Sequence, residues 1–219
     1  MRIIFIGASG HGKVCAEIAE MNGYNEILFL DGNKELRECA AYSVVGIEND
    51  FNKFIDDDAD FFVSIGNTQA RQHIQEKIKE TGGSIATLIH PASVIGKDVK
   101  IGIGSVVMAG AVINPGTTIG EGCIVNTSSS IDHDCIIEAY SHIAVGSHIC
   151  GSVHVGSNTW VGAGATVSNN VSICSDCIIG AGALVLYDIA ATGTYIGVPA
   201  KKHVDPREIK ENESINSVQ

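Results

Sequence analysis

From residue 89 onward, an aliphatic residue recurs at every sixth position of the chain. The series runs without an insertion through Ile89, Ile95, Ile101, Val107, Ile113, Ile119, Val125, Ile131, Ile137, Ile143, Ile149, Val155, Val161, Val167, Ile173, Ile179 and Val185. A helix repeats every 3.6 residues and a plain strand every two. A period of six with turn glycines is typical of a parallel β-helix. The pattern predicts short strands joined by corners, with the β-branched residues inside and glycines at corners that need positive φ.

Residues 18 positions apart stack in columns in such a helix, because three hexapeptides close one triangular coil. The residue before each inward aliphatic points outward. On one side, called here the first face, this column reads Val106, Ile124, His142, Trp160 and Ile178. An exposed apolar stripe of this kind usually marks an interface. A three-sided prism suits packing about a three-fold axis, and the sequence therefore predicts a homotrimer.

The first 88 residues follow a different pattern, in which apolar strands alternate with amphipathic helices. Strands are predicted at 2–8, 26–30 and 60–66, and a helix is predicted from Thr68 to Glu80. This alternation is typical of a small Rossmann-like parallel sheet. The predicted fold class is thus an α/β sheet domain followed by a β-helix of hexapeptide repeats. The predicted domains are 1–88, 89–190 and a C-terminal extension, 191–219.

A glycine-rich segment, Gly7–Gly12, follows the first predicted strand. It is either an ordinary strand-to-helix turn or a cradle for phosphate or sugar at a helix N-terminus. Asp31 ends the second strand, where such folds place a hydroxyl acceptor. Gly66 ends the third strand at the same sheet edge. Three strand ends at one crevice favour a nucleotide-type ligand.

Composition excludes several classes of protein. With 14 basic and 25 acidic residues the net charge is −11, so the footprint of a nucleic-acid-binding protein is absent and binding to an anionic membrane surface is not expected. No apolar run approaches the ~20 residues of a membrane span, and the N-terminus lacks a signal-peptide pattern. Seven cysteines are interpreted as reduced thiols of a cytoplasmic protein.

One histidine has the setting of a catalytic base. His133 falls at a predicted corner beside Asp134, and a neighbouring carboxylate can fix the tautomer of a histidine and raise its basicity. A solvated corner histidine is the competing interpretation. Gly151 stacks one coil above His133, and its bare backbone leaves room for a ligand. Cys135 fills an inward position, which favours core packing over a thiol nucleophile.

Other candidate sites receive less support. His142, His148 and His154 fall on three different faces, so they cannot converge on a metal within one chain. Cys174 and Cys177 have the spacing of half a zinc site, but both occupy positions that the repeat explains, and no metal is expected. Small residues two positions past the inward aliphatic suggest a groove for a pantetheine arm: Ala109, Thr127, Val145, Ala163 and Ala181.

Several segments together resemble a known family. They are Gly7–Gly12, Phe29–Asp31, Ile65–Asn67, Asn126–Ser129, His133-Asp134, Ser141-His142 and Gly197–Lys201. Over nearly the whole chain the sequence is similar to bacterial hexapeptide acetyltransferases that acetylate amino groups on nucleotide-linked deoxysugars. The sialic acid O-acetyltransferases are near relatives. The resemblance implies that the β-helix is left-handed.

The resemblance also implies residue roles. His133 would be the general base, with Asp134 raising its basicity. His142 would contact the thioester region of acetyl-CoA, and the Gly151 amide would face the developing oxyanion. The residues implied to line the cofactor groove are Ala163 and Ala181. The residues implied to hold the nucleotide-sugar are Ser9, Gly10, His11, Asp31, Gly32, Gly66 and Asn126.

The function predicted from the sequence is acetyl transfer from acetyl-CoA, the co-substrate, to the amino group of a nucleotide-linked amino-deoxysugar. A histidine general base would act directly in a ternary complex. One alternative is the same chemistry on a sialic acid hydroxyl. An alternative of another class is a non-catalytic β-helix with a binding or structural role. A pure scaffold has no need of the His133–Asp134 pair or of the glycine segment.

Overall fold

The computed structural model describes residues 1–55 and 58–203 and contains a small α/β sheet followed by a left-handed parallel β-helix. This is the fold class that the sequence predicts. Residues 204–219, most of the predicted C-terminal extension, lie outside the described residues. No helix in the described part of the chain is long and apolar enough to cross a bilayer.

The N-terminal sheet has six strands in the order β3-β4-β2-β1-β5-β6. Their bounds are β1 Arg2–Ile6, β2 Glu26–Leu30, β3 Glu38–Cys39, β4 Tyr42–Gly46, β5 Ala59–Val63 and β6 Ser84–Ile85. All neighbours are parallel except β3, which forms an antiparallel pair with β4. The central strand β1 is buried on both sides, which explains its uninterrupted apolar sequence. The sequence interpretation did not include β3 and β4.

Two helices cover opposite sides of this sheet. Helix α1 spans Gly10–Met21 and helix α2 spans Thr68–Glu80, the range that the sequence predicts for α2. Alternate residues of β1 face opposite sides, so Phe5 packs toward α1 while Ile6 joins the cluster that contains Ile78 of α2. A short 3₁₀ helix, Glu48–Phe54, adds Phe51 to this second cluster.

The β-helix has three faces of stacked strands. The first face holds β7 Leu88–Ile89, β10 Val106–Val107, β13 Ile124–Val125, β16 His142–Ile143, β19 Trp160–Val161, β22 Cys177–Ile179, β24 Gly193–Ile196 and the antiparallel β25 Lys201–Lys202. The second face holds β8 Val94–Ile95, β11 Val112–Ile113, β14 Ser130–Ile131, β17 His148–Ile149, β20 Thr166–Val167 and β23 Leu184–Val185. The third face holds β9 Lys100–Ile101, β12 Thr118–Ile119, β15 Ile136–Ile137, β18 His154–Val155 and β21 Ser172–Ile173.

The strand register confirms the predicted 18-residue columns. His142 pairs with Ile124 on one side and with Trp160 on the other. The inward aliphatic residues form one continuous core along the prism. Residues 193–196 pair with β22, so the first face continues beyond residue 190.

The prediction that the first-face stripe is exposed is wrong for its N-terminal half, Val106 and Ile124. Val106 is fully buried and Ile124 is 2% exposed, because helix α1 of the same chain packs over them. The side chain of Asn22, which follows α1, fixes this contact through hydrogen bonds to the backbone of Ile89. Trp160 remains 49% exposed and Ile178 remains 48% exposed. The part of the stripe that is available to another molecule is therefore its C-terminal half, which contains Trp160 and Ile178.

The corner glycines serve two purposes rather than the single one predicted. A Cβ on Gly102 would lie within van der Waals overlap of the Glu121 backbone in the next coil, so glycine is needed there for close approach. Positive φ occurs at other corner positions, and several of these carry side chains. Asp134 is one of them, with φ of 57°, and aspartate tolerates this conformation better than most residues.

Candidate active site

The carboxyl ends of β2, β1 and β5, three neighbouring strands, form one edge of the N-terminal sheet. Asp31 connects two segments of this edge. Its Oδ2 accepts a hydrogen bond from the Ala8 N–H at 2.7 Å, and its Oδ1 accepts one from the Asn33 N–H at 2.8 Å. The Ser64 hydroxyl donates to the Gly7 carbonyl at 2.7 Å. Ligands of parallel α/β sheets bind outside this edge, where the strand order reverses.

The predicted substrate residues of this domain lie along that edge. Ser9 precedes the first residue of α1 and makes no side-chain capping bond. Gly10 and Gly66 are exposed, with open space where a Cβ would stand. Gly32, which follows Asp31 in the sequence, is also exposed. His11 is half-buried; burial first, and then the charge of Arg71, lowers its pKa to about 4.

A cleft of about 560 Å³ separates this edge from the first face of the β-helix. It is lined by Gly66, Asn67, Thr68, Gln69, His142, Asn158, Trp160, Asp176, Cys177 and Ile178. The cleft joins the start of α2 to the half of the first face that α1 leaves uncovered. Its walls thus come from both parts of the chain.

His142 is held in a fixed orientation in this cleft. Its ring stacks on Trp160 with centroids 5.4 Å apart and planes 11° apart. The side-chain amide of Asn126 lies 3.1 Å from its Nε2. Burial, followed by the charges of Arg71 and His11, lowers the pKa of His142 to about 3. His142 is therefore a neutral imidazole at physiological pH. Asn126, predicted to contact the substrate, lies one coil above it on the same wall.

His133 and Asp134 form a hydrogen-bonded pair at the corner between the second and third faces. The His133 Nδ1–H donates to Asp134 Oδ2 at 2.8 Å, and the His133 side chain is 57% exposed. A Cβ on Gly116 would collide with the Asp134 carboxylate, so the glycine above makes room for it. Because Nδ1 carries the proton, the lone pair of Nε2 is free to accept another.

Asp132 is a functional candidate that the sequence interpretation missed. Its Oδ1 accepts the His133 N–H at 2.8 Å and the Asn114 amide at 2.8 Å. The pKa of His133 is raised first by the hydrogen bond to Asp134 and then by the charge of Asp132. The run of two aspartates around one histidine was a signal available in the sequence.

Gly151 lies directly against the imidazole. A Cβ on this residue would stand 2.6 Å from His133 Nε2. The sequence predicts that the missing side chain of Gly151 leaves room for a ligand, but His133 itself partly fills that room. The Gly151 carbonyl accepts from Asn170, whereas its N–H donates to no acceptor among the described residues. A base and a free amide donor therefore lie side by side on adjacent coils.

The predicted site residues fall into three separate regions of one chain. The cleft contains Gly66 and His142, whereas His133 lies at the corner opposite the first face. Ala163 and Ala181 are exposed at the corner between the first and second faces. The structure brings His133, Asp134 and Gly151 together, and separately brings Gly66 near His142, but a single chain does not join the two groups.

Other clusters of reactive side chains have structural explanations. His154 Nε2 lies 2.8 Å from Glu138 Oε1 on the third face, and Glu138 also accepts from Ser157. The Sγ atoms of Cys174 and Cys177 are 3.5 Å apart, and all seven cysteines are free thiols. Within residues 1–55 and 58–203, no group of three or more His, Cys, Asp or Glu side chains has the geometry of a metal site.

Family models match both parts of the chain. The PglD N-terminal domain model matches residues 2–78. The bacterial transferase hexapeptide model, of six repeats, matches residues 92–127 and 152–186. The two models therefore cover the sheet edge and most of the β-helix described above.

Solved structures with a similar fold include acetyltransferases. The acetyltransferase domain of PglB from Neisseria gonorrhoeae FA1090 is 36% identical with a TM-score of 0.89, over 92% of this chain and 99% of that chain. It has also been solved in complex with acetyl coenzyme A. PerB from Caulobacter crescentus, solved with CoA and GDP-perosamine, is 34% identical with a TM-score of 0.89, over 93% of this chain and 98% of that chain.

A curated relative has a partial match. UDP-N-acetylbacillosamine N-acetyltransferase from Bacillus subtilis (strain 168) is 30% identical over 115 residues. The match covers 49% of this chain and 51% of that enzyme, so the aligned region spans about half the length of the relative.

Proposed function

The chain belongs to the family of hexapeptide-repeat sugar N-acetyltransferases with a PglD-type N-terminal domain, and on that premise we propose that it transfers acetyl from acetyl-CoA to the amino group of a nucleotide-linked amino-deoxysugar. Near-full-length similarity to enzymes solved with acetyl-CoA and with GDP-perosamine supports both substrate classes. The reaction class distinguishes this proposal from O-acetylation of sialic acid.

The observation that carries the proposal is the arrangement of His133, Asp134 and Gly151. The Nε2 of His133 stands against Gly151, so close that a Cβ there would overlap it, and the Gly151 N–H has no acceptor within the described part of the chain. General-base catalysis needs a proton acceptor within reach of the attacking group. A tetrahedral intermediate needs a donor aimed at its developing oxyanion. The corner offers both on adjacent coils, about 4.8 Å apart.

The proposed step is a direct transfer. The sugar amine, as the neutral base, attacks the thioester carbonyl carbon, and the carbonyl π electrons move onto oxygen beside the Gly151 N–H. His133 Nε2 takes a proton from the attacking nitrogen. The carbonyl then re-forms and the C–S bond breaks. The CoA thiolate takes up the proton that His133 Nε2 holds, directly or through water, so the products are the acetamido sugar and CoA thiol and the base is restored. No covalent enzyme intermediate is required.

A homotrimer would reconcile the two separated groups of site residues. Within one chain, His133 lies at the corner opposite the first face, which carries His142. An interface that joins different surfaces of neighbouring copies can close a ring. Such a ring could place the His133 corner of one copy against the cleft of the next. The exposed side chains of Trp160 and Ile178 are the surface proposed to be covered.

The two parts of the chain would divide substrate binding. The sheet edge around Asp31 and Gly66 would hold the nucleotide-sugar, and the β-helix would hold acetyl-CoA along Ala163 and Ala181 with its thioester at His142. The proposed limits are 1–88 for the sheet part and 89–190 for the β-helix, to which strand β24 adds a further first-face strand. A cytoplasmic location belongs to the same proposal.

An assay of thiol release from acetyl-CoA tests the proposed function. The acceptor panel contains GDP-perosamine, UDP- and dTDP-linked amino sugars, the matching hydroxyl sugars and free sialic acid. Turnover with an amino sugar but not with its hydroxyl counterpart is the expected result. Turnover confined to sialic acid would favour the O-acetyltransferase alternative. Absence of turnover with every acceptor would favour the non-catalytic alternative.

Replacement of Asp31 by alanine is expected to weaken nucleotide-sugar binding by roughly ten- to a hundredfold, the range for a lost hydrogen bond to a charged group. The loss also frees the Ala8 N–H that shapes the glycine segment. Affinity for CoA should stay close to that of the wild type, because Asp31 lies on the sheet edge. Isothermal titration with each substrate measures both effects.

The matched control for this variant is Glu80→Ala, which removes one exposed negative charge at the far end of α2. It should leave both affinities unchanged. Loss of CoA binding in Asp31→Ala with intact nucleotide-sugar binding would contradict the proposed division of labour.

A further inference from the structure

Arg71 is a completely buried charge that links the two parts of the chain. It lies on α2 and is 1% exposed. Its Nε donates to the Gly122 carbonyl at 2.8 Å and its Nη2 donates to the Tyr140 carbonyl at 2.8 Å. Its Nη1 donates to the carbonyls of Ile65 at 2.9 Å and Gly66 at 3.1 Å. All four partners are backbone oxygens.

A buried guanidinium without a carboxylate partner is a costly way to join two packed surfaces. Burial of a charge is tolerated only when its hydrogen bonds are well satisfied. An apolar side chain of similar volume often packs such a contact at least as stably. Burial lowers the pKa of Arg71 to about 10, so the group remains charged at neutral pH. The arrangement therefore calls for an explanation beyond stability.

The four acceptors lie in segments that lead toward the two sides of the cleft, and Gly66 is the one of the four that lines it. Ile65 and Gly66 end the third strand of the sheet edge, and Gly66 lines the cleft. Tyr140 is two residues before His142 and Gly122 is two residues before Ile124, at the corner that leads into the first face. The rigid, planar fork of arginine fixes the directions of several acceptors at once. The Arg71 guanidinium thus spans from one wall to the other.

We propose that Arg71 is a positioning residue for acetyl transfer, whose guanidinium sets the distance between the Gly66 edge and the His142 strand. This inference rests on the proposed function, in which the first wall holds the nucleotide-sugar and the second holds the thioester. Arg71 itself contacts neither substrate. Its contribution is to hold two bound reactants in register, and an error of about 1 Å in such alignment can cost about a hundredfold in rate.

The charge of Arg71 has a second effect on the same wall. After burial, it is the next cause that lowers the pKa of His142, followed by His11. The same charge, again after burial, lowers the pKa of His11. Both imidazoles are thereby kept neutral beside the cleft. This effect supplies a measurement that reports on Arg71 independently of turnover.

The experiment compares Arg71→Lys and Arg71→Gln with a control on the same helix. Lys79 of α2 also bridges to the β-helix, through Glu121 at 2.7 Å, but at the surface and without touching the acceptors of Arg71. In Arg71→Lys, kcat should fall by about a hundredfold, while the dissociation constants for CoA, UDP and GDP, each titrated alone, change little. Lys79→Ala should keep the wild-type kcat.

Two further readouts separate positioning from simple stability. Thermal unfolding shows that the variants are folded at the assay temperature. Nuclear magnetic resonance titration should show a higher pKa for His142 in Arg71→Gln, because a nearby positive charge has been removed. Lys79→Ala should leave that pKa unchanged.

Several outcomes would overturn the inference. These are a folded Arg71→Lys protein with wild-type kcat, an equal loss in Lys79→Ala, or a loss explained by weaker binding of one substrate alone. Failure of both Arg71 variants to fold would assign the residue to folding and reject a positioning role. If the wild type acetylates no acceptor in the panel, the proposed function fails first and the inference fails with it.

Discussion

Replacement of His133 by alanine is expected to lower kcat by about 10²–10⁴-fold, the usual contribution of a general base. Folding should change little, since the side chain is more than half exposed at a corner. Dissociation constants should also change little, because an interaction made in the transition state is lost mainly from kcat. Steady-state kinetics combined with titration of CoA and of the accepted nucleotide-sugar measures these quantities.

The chain offers a close control for this variant. His154 is also a partly exposed histidine with a carboxylate partner, Glu138, at 2.8 Å. It lies on the third face, where its Nε2 is engaged by Glu138 Oε1. His154→Ala should therefore keep most of the activity. A folded His133→Ala protein with near wild-type kcat would identify the His133–Asp134 pair as a solvated corner.

The pH dependence of kcat/KM provides a second test of His133 as the general base. A general base acts when it is deprotonated, so kcat/KM should rise as pH increases through the pKa of His133 in the free enzyme. The hydrogen bond to Asp134 and the charge of Asp132 hold that pKa above its ordinary value of 6.5. Asp134→Asn removes the larger cause, so the rising limb should move to lower pH. A limb that stays in place would argue against His133 as the titrating group.

The β-helix could be predicted from the sequence because its information is local. The aliphatic position in each hexapeptide indicates which residue points inward, and the 18-residue coil determines which residues stack. Stacking alone placed Gly151 over His133 and separated His142, His148 and His154 onto different faces. The limits of α2 were equally accessible, since Asn67 caps the helix through a hydrogen bond to the Ala70 N–H and the apolar periodicity ends before Gly82.

What the sequence did not reveal depends on how the two parts of the chain pack together. Periodicity shows that Val106 and Ile124 point outward, but only the position of α1 shows that they are covered. Arg71 has the same difficulty: a charged residue on an amphipathic helix is normally at the surface. Two of its four carbonyl acceptors, Gly122 and Tyr140, lie 51 and 69 residues away along the chain. No local pattern records such partners.

Mixed trimers are expected to recover activity from two inactive variants. If His133 of one copy serves the cleft that contains His142 of its neighbour, then His133→Ala and His142→Ala each disable every site when expressed alone. In trimers assembled from both variants, a site regains both histidines when a His142→Ala copy adjoins a His133→Ala copy in the correct order. Every heterotrimer contains one interface with this order, whichever variant supplies two copies, so about a third of the sites in a closed three-fold ring regain both histidines.

The measurement uses co-expressed variants with different affinity tags, so that only heterotrimers are assayed, after sedimentation has established the trimer. Mixing His133→Ala with a chain that carries both substitutions is the control, because no interface in that mixture can contain both histidines. Recovery in the first mixture alone is the expected result. Equal inactivity of both mixtures would reject a site shared between copies, and so would a wild-type monomer. The prediction follows from the β-helix itself, which places the His133 corner opposite the face that carries His142.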